Sequence, residues 1–410
     1  MDSPLIKNIE LFLDDKPNVY SIREQARFLL NKVGFPNKKN ESWKYTNIAN
    51  LINKDFNIIK KHSHCNCNTK YKDDYFINIC FCNGVLHIEE YNLPSGLFID
   101  SLPIALYEDT YKKYINKSYD LEKHPFTILN NIYLEQGVCI CVSKNTKITS
   151  PIKINYKNTE CDNQQNHIHN LFILEKNSSI DIIENFTSEN SNSYFSNIVN
   201  EIYLDASSKL NHYKKLDESI NSYHIALNSV KIKSNALYNQ FYYSKACKLN
   251  RNENIINLEQ IDSQANIYTA YKTKTGCLTD ITTNINHKDK NTISNQISKC
   301  VLDKDSQAVF QGKIHIAPNS EKSTGNQLHK ALYLDDSATL NCKPELEIYT
   351  DDVKCSHGAS CGEINAEQLF YLTSRGIDKQ TAIKILTNAH LEEILSLIED
   401  ENIKNIFINN

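Results

Sequence analysis

Residues 205–237 read DASSKLNHYKKLDESINSYHIALNSVKIKSNAL. A polar turn, DASSKL, closes on Leu210; an alternating run follows at His224–Val230; a second turn, KSNAL, closes on Leu237, 27 residues after Leu210. The same phrasing returns at DSQANI from residue 262, closing on Ile267 after 30 residues, then at DSQAVF from 305 and DSATL from 336. The next closing residues, Val309 and Leu340, follow at intervals of 42 and 31. Between the turns lie short runs such as Asn170–Leu174, Ile198–Leu204, Ile255–Ile261 and Val309–Ile316, with the period-two pattern of strands. No unit holds enough apolar residues for a core of its own, whereas stacked units share one, which is the logic of a solenoid. Residues 131–350 are therefore expected to be mainly β, as a parallel β-helix, with a β-sandwich as the alternative.

Residues 1–130 read as a helical and mixed N-terminal region. Ser21 and Glu24 form a capping box, Ala26, Leu29, Leu30 and Val33 an apolar stripe, and Gly34 a stop, so a helix is predicted over Ser21–Lys32. ESWKYTN at 41–47 contains the single tryptophan and reads as a packing anchor. His62, His64, Cys65, Cys67, Cys80 and Cys82 have the composition of a zinc cluster. The CxC spacing instead puts both thiols on one side of a strand over Asp74–His87, which favours burial over metal. A short helix is predicted at 101–117. Residues 351–410 read as a helical C-terminal region. Asn365 caps a first helix that Arg375-Gly376 ends. A second, Lys379–Ile398, carries the stripe Ala382, Ile385, Leu386, Ala389, Ile394 and Leu397, and the last dozen residues are expected to fray.

With 45 basic and 49 acidic side chains, the net charge is −4, so no electrostatic footprint points to nucleic acid or an anionic membrane. No run approaches the roughly 20 apolar residues of a membrane span. No basic-then-apolar leader is seen, and a soluble, cytoplasmic protein is expected. Thirteen dispersed cysteines in 410 residues fit a reducing compartment. GxxxxGK[ST], strand-linked GxGxxG, HExxH and GxSxG are absent from the sequence. Asp335, Asp336, Asp351 and Asp352 come in pairs, but adjacent carboxylates on a strand point to opposite faces and not towards one another, as glycosidase chemistry needs.

The densest metal-capable cluster lies in DDVKCSHGASCGEINAEQLFYLTSRG at 351–376. Two residues apart, Cys355 and His357 share one face of an extended strand, and a thiolate with an imidazole suits zinc or iron. Cys361 is close in sequence, but two or three ligands do not close a site. The pairs His167/His169 and Cys139/Cys141 alternate on presumed strands without a third ligand. His315 and His329 lie nearer in sequence to the cluster and could approach it in a stacked fold.

LEIYTDDVKCSHGAS at 346–360, LFYLTSRGI at 369–377, QLHKALYLDDSA at 327–338 and ESWKYTN at 41–47 together resemble the SufB and SufD family of iron–sulfur cluster assembly proteins. The resemblance implies a right-handed parallel β-helix core flanked by N-terminal and C-terminal helical regions. It implies a non-catalytic scaffold that binds a homologous SufB-like subunit and, through its C-terminal helices, a SufC-like ABC ATPase, with a homodimer open to the chain alone. Leu386, Ala389, Ile394 and Leu397 are the expected partner-binding residues. Cys355, His357 and Cys361 are the expected contributors to a transient iron or iron–sulfur cluster at the partner interface, with no tightly bound cofactor on the chain alone. The short chain and the KCSHG form favour the SufD branch. The competing readings are a β-helix enzyme acting on carbohydrate and a metal-free β-solenoid interaction protein.

Overall fold

A computed structural model describes residues 3–7, 17–58, 75–88, 93–159, 162–189, 191–245 and 247–408. Its centre is a parallel β-solenoid of about seven turns with two walls. In the first sheet the strands Gln164–Leu174, Tyr194–Leu204, Tyr223–Ile232, Leu249–Leu258, Leu278–His287, Gln307–Ile316 and Thr339–Ile348 stack in order. In the second lie Ser179–Ser188, Lys209–Asp217, Leu237–Ser244, Gln264–Thr273, Ile293–Leu302, Ser323–Tyr333 and Val353–Glu363. The last of these continues the second sheet, so the solenoid runs past residue 350.

The corners explain the repeat. Six of the seven passages from first to second sheet hold one residue at positive φ, Asn177, Ser207, Asn235, Asp262, Asn291 and Lys322; the last, 349–352, holds none. Asn and Asp tolerate that region better than other non-glycine residues, and so recur there. Corners also bond rung to rung, Ser207 N–H donating to Ser234 O at 2.9 Å and Asn291 N–H to Glu321 O at 3.0 Å. These positions are 27–31 residues apart, which is the true repeat. DSQAVF and DSATL belong to the opposite corner, from second sheet back to first. Mixing the two corners produced the 42-residue interval in the sequence.

The lumen is apolar at its margins, with Ile182, Ile198, Ile202, Val230, Ile256, Ile281 and Phe310 among its buried residues. Along its middle it is polar. Asn170, Asn200, Asn228 and Asn254 occupy one register position on four successive strands and bond side chain to side chain at 2.9, 2.8 and 3.0 Å. Beside them Glu184 accepts from Tyr156, Asn200 and His212. Burial alone would raise the Glu184 pKa, but the Lys214 ammonium and the bonds from His212 and Tyr156 outweigh it and hold the carboxyl at about 2. These inward polar residues lengthen the strands beyond the apolar runs. Leu249–Leu258 starts six residues before the expected Ile255 and stops three short of Ile261.

The N-terminal helix is Pro17–Val33, so Ser21 and Glu24 lie within it and not at its start; Gly34, at φ 71°, ends it as expected. Segment 101–117 forms two single turns, Leu102–Ala105 and Asp109–Lys112, in place of one helix, because Pro103 confines the first turn to its own start and Asp109 opens a second. Trp43 is buried against Phe126 and lies 4.0 Å from the Arg251 guanidinium, which clamps this region onto the first sheet. On Ile77–Cys82, Ile77, Ile79 and Phe81 face the lumen while Cys80 and Cys82 pair on the opposite face. His62, His64, Cys65 and Cys67 lie outside the described residues.

At the other end, Asn365 caps Ala366–Ser374, and Lys379–Leu395 packs on the outer face of the second sheet through Leu391, Ile394 and Leu395. Instead of fraying, the tail forms the helix Glu401–Ile408, docked by Ile403 and Phe407 and by Lys215 donating to Ile406 O at 2.6 Å. No helix among the described residues is long and apolar enough to cross a membrane.

Candidate functional site

Thr339–Ile348 and Val353–Glu363 are the last strands of their sheets, and no strand pairs with their outer edges among the described residues. Their inward side chains therefore continue the lumen columns to an open mouth. His357 is in register with Gln327 and Gln296, Cys355 with Gly325 and Ser294, and Cys361 with Ala331 and Cys300. Ser294, Gln296, Cys300, Gln327 and Ala331 are all buried, whereas His357 and Cys361 are exposed and Cys355 is half-buried, because nothing lies above the last rung.

Geometry sorts the three predicted ligands. Two residues of extended chain separate Cys355 from His357, about 7 Å, which one metal ion can bridge. Cys361 is six residues from Cys355, about 20 Å along the same strand, and cannot share that ion. No group of three or more His, Cys, Asp or Glu able to hold a metal occurs among the described residues. The chain thus offers one N/S half-site at the mouth. Burial raises the Cys355 thiol, partly offset by the Gly325 backbone, so at neutral pH it rests as a thiol.

Cys361 belongs to a different neighbourhood. Across the lumen, Cys342 is partly buried, its thiol pushed up to about 11 by burial and then by Cys361. Two rungs below Cys361, Cys300 is pushed up to about 12 by burial. His329 lies beneath Ala359, its Nε2 3.8 Å from Cys300 Sγ and its ring stacked on Phe310 at 4.3 Å; burial holds it neutral, at about 3. His329 does approach the mouth from below. His315 does not: its ring lies beside Tyr349, 5.4 Å away. Cys300 and Cys342 went unnoticed in the sequence, although alternation in TLNCKPELEI places Cys342 inward once that run is read as a strand.

The other pairs are structural. His169 meets Glu201 at 3.1 Å and His167 meets Asn197 at 3.1 Å. Of the expected partner-binding residues, Ile394 is 2 % exposed and packs inward on the solenoid, so it is unavailable to a partner. Ala389 is exposed, Leu386 half-buried and Leu397 44 % exposed. The apolar surface of the tail is completed by Phe370, Tyr371 and Ile385, with Phe370 72 % exposed.

Comparison with known proteins agrees with this architecture. Residues 156–390 match the family description "SUF system FeS cluster assembly, SufBD core domain", and residues 9–154 match the SufBD N-terminal region. An iron–sulfur cluster assembly SufBD family protein of Synechocystis is 28 % identical over 400 residues, covering 92 % of this chain and 86 % of the relative. The iron–sulfur cluster assembly protein SufD of Escherichia coli is 28 % identical over 386 residues, covering 92 % and 88 %. The chloroplastic protein ABCI7 of Arabidopsis thaliana is 27 % identical over 407 residues, covering 93 % and 83 %. The solenoid and its mouth fall within the two family matches, and the chain belongs to the SufBD family of iron–sulfur cluster assembly proteins.

Proposed function

We propose that this chain is a SufD-type, non-catalytic scaffold subunit that acts in the cytoplasm, pairing its open mouth with a homologous SufB-like subunit and presenting its tail to a SufC-like ABC ATPase. The observation that carries this reading is the unfinished last rung. Two long strand edges lie free beside a half-site of Cys355 and His357, and a second solenoid end would supply both the missing strand partners and the missing ligands. Iron and sulfide are then cargo held transiently between subunits, sheltered from water. A separate ATPase is needed because the sequence holds no phosphate-binding loop. Phe370, Tyr371, Ile385, Ala389 and Leu397 are the exposed apolar surface for it.

The test is anaerobic reconstitution of the assembled complex, with iron and acid-labile sulfide quantified. His357→Ala removes an exposed imidazole, so folding and subunit capture should persist while cluster content falls several-fold. Normal loading in that variant would refute the assignment. Cys361→Ala should leave loading nearer the parent value, since Cys361 lies beyond reach of the half-site.

A further inference from the structure

Between the outer face of the second sheet and the helix Lys379–Leu395 lies a cavity of about 490 Å³. That is within the usual size range of small-ligand sites, roughly 300–1,000 Å³. Its floor is apolar, made by Tyr243, Val301, Leu391, Leu395 and Phe407. Its rim is cationic: Lys245, Lys272, Lys274 and Lys384 line it, against the carboxylates of Asp303 and Glu392. Asp217 neutralises Lys245 at 2.7 Å, but Lys272, Lys274 and Lys384 have no ion-pair partner within 4 Å among the described residues. Lys272 donates to Asn388 Oδ1 on the helix at 2.6 Å, which joins the two walls.

We propose that this cavity binds a small organic anion with an apolar body, an acyl or aryl phosphate or carboxylate, its apolar part on the floor and its charge among the lysines. A solvated lysine rim is common on protein surfaces. Here lysines from both walls surround one apolar floor, and four ammonium groups outnumber the two rim carboxylates, an excess that an anion would balance. Lys272 registers the crowding: burial and then the charges of Lys245, Lys384 and Lys274 lower its pKa. The charge of such an anion would offset the repulsion and join Lys384 on the helix to Lys245, Lys272 and Lys274 on the sheet side. The site does not depend on the proposed assembly role.

Octyl phosphate, octanoate, octanol and inorganic phosphate, each below its aggregation limit, are titrated calorimetrically into the full chain. Octyl phosphate or octanoate should bind at least tenfold more tightly than octanol and inorganic phosphate, and the tighter of the two identifies the head group. Lys272→Met with Lys384→Met should weaken that binding at least tenfold while leaving circular dichroism unchanged. Both positions lie on the rim, so the double variant keeps the floor intact. Equal binding of octanol, no saturable binding of either anion, or affinity unchanged in the double variant overturns the proposal.

Discussion

Arg251 is fully buried, and its loss should detach the N-terminal region from the solenoid. Its guanidinium lies over the Trp43 ring at 4.0 Å, pairs with Asp280 and with Glu253 at 3.4 Å, and donates to Ser42 O at 3.0 Å. Asp280 in turn accepts from the Thr46 hydroxyl. Arg251→Met retains much of the volume but leaves buried Asp280 without its cation, while Glu253 keeps His124 at 3.5 Å. Removing one partner of a buried pair costs about 3–5 kcal/mol, and the lost cation–π contact adds up to about 2 kcal/mol in a desolvated setting. These contributions overlap, so about 4 kcal/mol is expected, close to a thousandfold in the docking equilibrium. Trp43 is the single tryptophan, which lets its fluorescence follow the clamp in urea while circular dichroism follows the strands. The Trp43 transition should move to lower urea ahead of the strand signal. Arg251→Met with Asp280→Leu should recover part of the loss, less about 1 kcal/mol for each of the Thr46 and Thr282 hydroxyls left without this acceptor. Arg251→Lys should fall between the parent and Arg251→Met, because an ammonium still meets Asp280 but cannot fork to Glu253 and Ser42 O as well. A Trp43 transition displaced by less than 1 kcal/mol in Arg251→Met would refute the clamp.

Acid should weaken the fold through its buried histidines. Burial lowers His167, His287 and His329 to about 3, 4 and 3, whereas the unfolded chain protonates near 6.5, so their contribution is full above pH 6.5 and is lost as pH falls towards those values. At pH 5 each costs about 2 kcal/mol; His329→Phe keeps a ring on Phe310 and should reduce the pH 7 to 5 loss, in urea unfolding, by about that amount. On the tail, Ile394→Asp should free the helix Lys379–Leu395, at more than about 3 kcal/mol, seen as proteolysis confined to the tail. Leu397→Asp should change stability by less than about 0.5 kcal/mol yet reduce capture of the ATPase subunit in a pull-down; undiminished capture would place the contact elsewhere.

The solenoid was legible because its corners need residues that tolerate positive φ, which leaves a visible mark at Asn177, Ser207, Asn235 and Asp262. Cys355 and His357 were legible for a similar reason, since spacing on a strand determines facing. The asparagine file was not. Reading apolar as inward fails where Asn170, Asn200, Asn228 and Asn254 satisfy one another across rungs, a pairing that exists only once the register does. The tail misled differently. Its stripe was wide enough for two faces, and only the docked position shows that Ile394 serves the solenoid while Leu397 stays outside.

The two ends of the solenoid differ in a way that governs growth. At the start the sheets finish in antiparallel strands, Val85–His87 and Leu97–Ser101, of three and five residues. Such short edges offer little template for another chain. At the finish the edges are ten and eleven residues long. A filament needs two reactive ends per molecule, and the described residues provide a single long edge pair. Stacking mouth to mouth uses up that pair on both partners, so addition stops at two chains. If the proposed mouth-to-mouth pairing forms, the short leading strands would act as its chain terminator and limit a fold built from self-similar rungs to a closed pair.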